Sequence, residues 1–190
     1  MSIRKTSKPT WAATCKQLTA CDSATLLALL KDLYDLSSVN RDFLHARVFA
    51  GTGSTASFAE YHKRVVNPFY PTCGAGNLKL GEARKAIREY RKATGDVPGT
   101  IELLLTFCET GAAFTNEFGD INERFYDSLD CGLDDLSELI KKQGRGAWEK
   151  VRDRLDKLAM DTDGIGWGYG DNIHDSVAEL RKEFETTNED

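Results

Sequence analysis

Residues 98–118, PGTIELLLTFCETGAAFTNEF, constrain the fold of this chain more than any other stretch. Ile101, Leu105, Cys108, Ala112 and Thr115 recur at helical spacing, and Leu104, Phe107, Gly111, Phe114 and Phe118 form a second stripe beside them. A helix that is apolar over most of its circumference has to be surrounded by other elements. It therefore predicts the centre of a domain.

The flanking segments carry single stripes that such a centre needs as neighbours. Leu26, Leu29, Leu30, Leu33 and Leu36 follow a cap at Asp22 or Ser23, and Val39, Phe43 and Leu44 follow Ser38. Phe58, Tyr61, Val65 and Phe69 mark a third helix stopped by Pro68 and Pro71, and Leu80, Ala83, Ile87 and Tyr90 a fourth that closes at Gly95. After the central segment come Ile121, Phe125 and Leu129, a break expected at Gly132, and a resumption through Leu133, Leu136, Leu139 and Ile140. Trp148, Val151, Leu155 and Leu158 define a further helix, and Ile173, Val177, Leu180 and Phe184 the last. No segment alternates with period two over strand length. The predicted fold is all-α, an irregular array of seven to nine short helices arranged as helical hairpins around a central apolar helix. A length of 190 residues fits one domain, expected over 16–186, with a flexible tail at 1–15 and a disordered end at 187–190.

Composition excludes several functions. Cys15, Cys21, Cys73, Cys108 and Cys131 form no CxxC pair and no tight Cys/His cluster, which argues against a zinc ribbon or a disulfide scaffold and favours a reducing cytoplasm. Cys108 falls on the apolar central segment and is expected to behave as a small hydrophobe. A formal charge of −5 supplies no global field for nucleic acid or an anionic membrane. The first ten residues, MSIRKTSKPT, lack the apolar core of a signal peptide, and no apolar run is long enough for a membrane span.

The stretch Asp163–Asp175, DGIGWGYGDNIHD, has glycine at every second position from Gly164 to Gly170, interleaved with Ile165, Trp167 and Tyr169. It echoes an earlier segment, since FGDINERFYDSL at 118–129 and YGDNIHDSVAEL at 169–180 both place an aromatic-Gly-Asp entry before an apolar helical stripe. In each copy the glycine permits a chain reversal and Asp120 or Asp171 is a preferred N-cap. Asp120 followed by Glu123 resembles a capping box. This favours a packed aromatic corner with Trp167 as a lid over the core. The other reading is a ligand or partner contact through Trp167, Tyr169, Asp171 and His174. Nucleotide and calcium roles fit poorly. The glycines alternate after a helix rather than following a strand as GxGxxG, no Gly-Lys-Ser/Thr ending is present, and an EF-hand register puts Ile165 and Asn172 at ligand positions.

Asp42-x-x-His45 and Asp171-x-x-His174 place an acid one helical turn before a histidine, but the further glutamates of a helical dimetal site are missing, so neither a metal nor a cofactor is expected. The strongest charge feature is KLGEARKAIREYRK at 79–92. Arg84, Lys85, Arg88, Arg91 and Lys92 fall within an arc of about 120° at helical spacing. A solvated face, an acidic protein partner and nucleic-acid phosphates all suit this arrangement. Asp120, Glu123, Asp127, Asp130, Asp134, Asp135 and Glu138 make 117–138 correspondingly acidic, which suits self-association or an internal ion-pair network equally well.

NPFYP at 67–71, GDINERFYDS at 119–128 and GWGYGDNIHD at 166–175, in this order, resemble a bacterial family of small helical proteins classified only as a domain of unknown function. The resemblance spans most of residues 18–185 and implies an all-α bacterial cytoplasmic protein. It carries over no catalytic residue. The functional expectation is a non-enzymatic helical interaction module, an accessory subunit or adaptor that binds another protein or itself. The alternatives are nucleic-acid association through 79–92, and a small enzyme or ligand-binding protein using 163–175.

Overall fold

The structure is a computed structural model and describes residues 9–49, 55–71, 73 and 77–185. The expected disordered end, most of the N-terminal tail and most of the GTGST stretch lie outside the described residues. Among those described there are nine α-helices and no strand, so the fold is all-α. They are α1 (Trp11–Leu18), α2 (Ser23–Leu36), α3 (Ser38–Val48), α4 (Thr55–Val66), α5 (Leu80–Thr94), α6 (Val97–Phe118), α7 (Glu123–Gln143), α8 (Arg145–Asp161) and α9 (Tyr169–Glu185). The chain divides between Leu44 and His45 into two compact units.

In the N-terminal unit, α1 begins where Thr10 accepts a hydrogen bond from the Ala13 N–H at 3.4 Å, inside the stretch expected to be a tail. Asp22 caps α2 as expected, accepting from the Thr25 N–H at 2.7 Å. The leucine stripe of α2 departs from expectation. Leu29, Leu30, Leu33 and Leu36 are exposed, Leu36 at 76%, and no residue of α1 or α2 is buried. Periodicity announces an apolar face, but burial also requires a second face to receive it, and the described residues up to Leu44 include no buried side chain.

The C-terminal unit has a large core. Helix α6 is its centre, as its sequence demands, and packs against α4, α5, α7 and α8. Ile101, Leu103, Leu104, Leu105, Phe107, Cys108 and Ala112 are all buried on it. Asp96 caps it, accepting from the Gly99 N–H at 3.0 Å, and its second carboxylate oxygen takes the Tyr90 hydroxyl at 2.5 Å. One side chain thus starts α6 and ties it to α5.

The expected break at Gly132 does not occur, because α7 runs unbroken through it. The glycine is there for close approach. A Cβ at Gly132 would stand 2.7 Å from the Phe107 ring of α6, and a Cβ at Gly111 of α6 would collide with the Leu129 methyls of α7. Each helix lacks a side chain where the other supplies a large one. At the far side of α6, Arg154 of α8 grips two glutamates, with Nη1 at 2.7 Å from Glu102 and Nη2 at 2.7 Å from Glu109. The Trp148 indole N–H donates to Glu185 at 3.1 Å and fixes the end of α9 against α8.

Core and stripe leucines should therefore respond differently to truncation. Leu105→Ala is expected to cost about 2–5 kcal/mol, whereas Leu33→Ala should stay within about 1 kcal/mol of the parent, both read from urea unfolding midpoints.

Candidate functional site

Three short stretches far apart in sequence meet at one end of the C-terminal unit. After α4, Phe69 is buried and its ring contacts Phe107, Phe114 and Phe125 at 5.7, 6.1 and 6.2 Å between centroids. Tyr70 follows on the outside, touching Phe114 and Phe118 and donating its hydroxyl to Glu117 at 3.0 Å. Burial first, and the Glu117 carboxylate second, push the Tyr70 hydroxyl up to about 12. From Phe125 the rings continue to Tyr126 at 5.1 Å, and Tyr126 touches both Trp167 and Tyr169. The residues of NPFYP, GDINERFYDS and GWGYGDNIHD thus form one continuous set of ring contacts.

Tyr126 is the hub where the two echoing segments join. Its hydroxyl donates to Asp120 at 2.9 Å and shares a 2.5 Å hydrogen bond with Thr115. Burial raises its pKa, the Thr115 bond offsets part of that, and Asp120 adds to it. Asp120 is therefore not the cap of α7. Asn122 holds that place, accepting from the Phe125 N–H at 3.1 Å, while Asp120 serves Tyr126 and lies against Gly166, where a Cβ would stand 2.8 Å from its carboxylate. Asp171 is not a cap either. Helix α9 begins two residues earlier at Tyr169, which puts Asp171 exposed in the first turn, where its charge complements the helix dipole.

The glycine series serves two purposes. Gly164 and Gly168 take left-handed φ values of 81° and 77°, which turn the chain. Gly166 and Gly170 allow contact, and at Gly170 a Cβ would lie 2.5 Å from the Thr162 carbonyl. The corner so made treats its two aromatics oppositely. Tyr169 is fully buried. Its hydroxyl lies against the Cys108 thiol, and burial drives Tyr169 well above the usual tyrosine range and Cys108 up to about 12. That thiol is a packing group. Trp167 is not the expected lid, because it is 58% exposed. It rests on Tyr126 with centroids 6.4 Å apart and planes 21° apart, and its φ is +61°. Left-handed backbone disfavours a bulky side chain. The hairpin between Gly166 and Gly168 nevertheless holds this indole outward.

Further along the same ring contacts, Phe118 is also 58% exposed and Tyr70 36%, so the buried ring stack reaches the surface at three aromatics. His174 is exposed on α9 and has no part in the ring contacts. Among the described residues no three His, Cys, Asp or Glu side chains converge as a metal site would need. Sequence reasoning found Trp167 and Tyr169 but missed Tyr126, which touches both, and the exposed Phe118 and Tyr70 further along the ring contacts. The echo of aromatic-Gly-Asp was the available signal, since both copies contribute to one contact.

The basic face of α5 lies elsewhere. Arg84 turns toward Asp135 of α7 at 3.9 Å, while Lys85, Arg88, Arg91 and Lys92 are exposed. The acidic run on 117–138 thus meets the basic helix within this chain, at one long ion pair.

No protein-family model matches the chain, and no curated protein or solved structure matches it either. No helix among the described residues is long and apolar enough to cross a membrane.

Two predictions follow from this geometry. Tyr169→Ala should cost about 3–5 kcal/mol by truncating a buried ring. Trp167→Gly relieves the left-handed strain while losing a surface stack, so its unfolding midpoint should correspond to a change within about 1 kcal/mol. The second concerns Asp130, whose pKa is raised above 3.8, chiefly by burial, with Asp134 and Asp127 adding to it and Asn172 opposing it. Folding then favours the protonated acid. Its contribution is fully present below 3.8 and is lost as pH rises through the elevated folded value. Asp130→Asn should accordingly melt higher than the parent at pH 7, with the difference shrinking as the pH falls toward 4.

Proposed function

We propose that the protein is a non-enzymatic helical interaction module, an accessory subunit or adaptor, that binds another protein through the aromatic corner. One observation carries this reading, namely that Trp167 is held outward in a strained backbone conformation on a rigid, buried support. Strain of this kind persists where the surroundings over-determine it, and it clusters at functional positions. Exposed aromatics on a preorganised base are the residues from which protein interfaces take most of their binding energy, because large rings lose little conformational freedom on contact. Trp167, Phe118 and Tyr70 supply such anchors. Exposed Asp120, Glu117 and Asp171 supply a polar rim.

Two further parts of the proposal rest on the sequence. The three stretches that join at the corner are the ones that resemble the bacterial helical family, which supports assigning the chain to it. Cys15, Cys21, Cys73, Cys108 and Cys131 are all free, which supports a reducing cytoplasmic setting.

The test is co-purification of tagged parent and Trp167→Ala chains from the native cell, with sedimentation velocity on each purified chain. A protein bound in fixed ratio to the parent and lost from an equally stable Trp167→Ala chain is the expected outcome. Identical co-eluting proteins for both chains would overturn the reading, and a parent oligomer that the substitution dissociates would replace the foreign partner with a second copy.

A further inference from the structure

A second surface, separate from the aromatic corner, lies between α5 and α7. Arg84, Arg88 and Arg91 follow one another at i, i+4 and i+7 and so share one stripe of α5. Together with Lys142 from the last turn of α7 they line a cleft of about 170 Å³. Its floor is apolar, formed by Ile87, Leu104 and Leu139. The exposed Lys85 and Lys92 of the same basic helix do not line it. The basic face is thus divided, with three arginines turned to a concavity and two lysines to open solvent.

The cleft has more cations than its own carboxylates use. Glu138 is engaged by Lys142 at 3.2 Å, one helical turn away. Asp135 stands 3.9 Å from Arg84, too far for a hydrogen bond. The Nε of Arg84 is buried with no acceptor, which is a costly state for a charged donor. Arg88 and Arg91 enter no ion pair among the described residues. Four cations and two carboxylates leave a surplus of two positive charges around a pocket with room for a phosphoryl group and a small substituent. Guanidinium groups present planar pairs of N–H donors that match the oxygen spacing of phosphate. An apolar floor strengthens each such contact by lowering the local dielectric.

We propose that this cleft binds a single phosphate-type dianion, free or as the monoester of a small molecule, with Arg88 and Arg91 as its principal ligands and Arg84 and Lys142 completing the cage. The cleft is a local concavity lined by only part of the basic face, which suits one phosphoryl group better than an extended polyanion. A nucleic-acid backbone would instead engage the whole convex face, Lys85 and Lys92 included, and would lose affinity steeply with salt.

Isothermal titration calorimetry at fixed ionic strength tests this with inorganic phosphate, methyl phosphate and a single-stranded oligothymidylate. Two double variants serve as the comparison, Arg88→Gln with Arg91→Gln inside the cleft and Lys85→Gln with Lys92→Gln outside it. All four positions are exposed, and retained far-ultraviolet circular dichroism verifies the fold of each. The expected result is saturable phosphate binding that weakens at least about tenfold in the arginine variant and is unchanged in the lysine variant. Methyl phosphate binding as well would assign the site to a phosphorylated small molecule, and binding of inorganic phosphate alone would assign it to the free ion. Absence of saturable heat with either anion would overturn the proposal. So would equal weakening in both variants, or oligonucleotide binding without phosphate binding.

Discussion

The close approach of α6 and α7 governs the C-terminal unit. It depends on two reciprocal notches, Phe107 over Gly132 and Leu129 over Gly111. Helices with ordinary side chains at these points pack about 8–10 Å apart, and here the missing Cβ atoms let each large side chain lie directly on the opposing backbone. This contact fixes the register of α7 on α6. It carries Phe125 to Phe114 and Phe69, and it brings the Tyr126 hydroxyl to Thr115 of α6. The aromatic corner is thus a consequence of helix register. Tyr126 can support Trp167 only because α7 cannot slide.

Much of this core was legible in sequence for a physical reason. A helix that is apolar all round has one solution, to be surrounded, and α6 takes it. Single stripes are more ambiguous. The stripe of α5 is buried at Leu80, Ala83, Ile87 and Tyr90, whereas that of α2 is exposed at Leu29, Leu30, Leu33 and Leu36, although both show the same period. Spacing specifies a face and says nothing of what covers it. Gly132 was misread for a related reason. Glycine costs a helix interior about 1 kcal/mol, so it reads as a break, yet packing against Phe107 outweighs that cost. The capping aspartates failed differently. Asn122 and Asp120 lie two residues apart and both can cap, and the choice fell to tertiary geometry, because only Asp120 reaches Tyr126.

The electrostatics separate structural charge from available charge. Arg154 is held by two glutamates across α6 and α8, and those bonds raise its pKa further, so its guanidinium is a permanent cross-link. Such half-exposed pairs contribute modestly to stability, but two anchored carboxylates also give orientation. Arg88 and Arg91 have no such anchors. A guanidinium at a concave surface without a carboxylate partner keeps its donors available, unlike the cations of the helical i, i+4 ion pairs elsewhere on the surface.

Trp167 and Tyr169 show how one turn can divide two neighbouring rings between core and surface. Tyr169 opens α9 and points into the cluster of Cys108 and Tyr126. Two residues earlier the chain runs through Gly166, whose bare Cα lies against Asp120, and Gly168, whose left-handed φ reverses it. With both neighbours fixed, the backbone at 167 has little choice of φ, and the indole can stand only on the outer face of Tyr126. A purely structural corner would relieve this strain by placing glycine at 167, as it does at 164 and 168. Burial accounts for the indole only in part, because more than half of it remains in solvent. The stack on Tyr126 adds about 0.5–1.5 kcal/mol, against a left-handed penalty of about 1–2 kcal/mol. The folded chain by itself thus gains less from tryptophan at this position than a buried indole would give it, and that shortfall is the physical ground for proposing the exposed face of the ring as a partner contact.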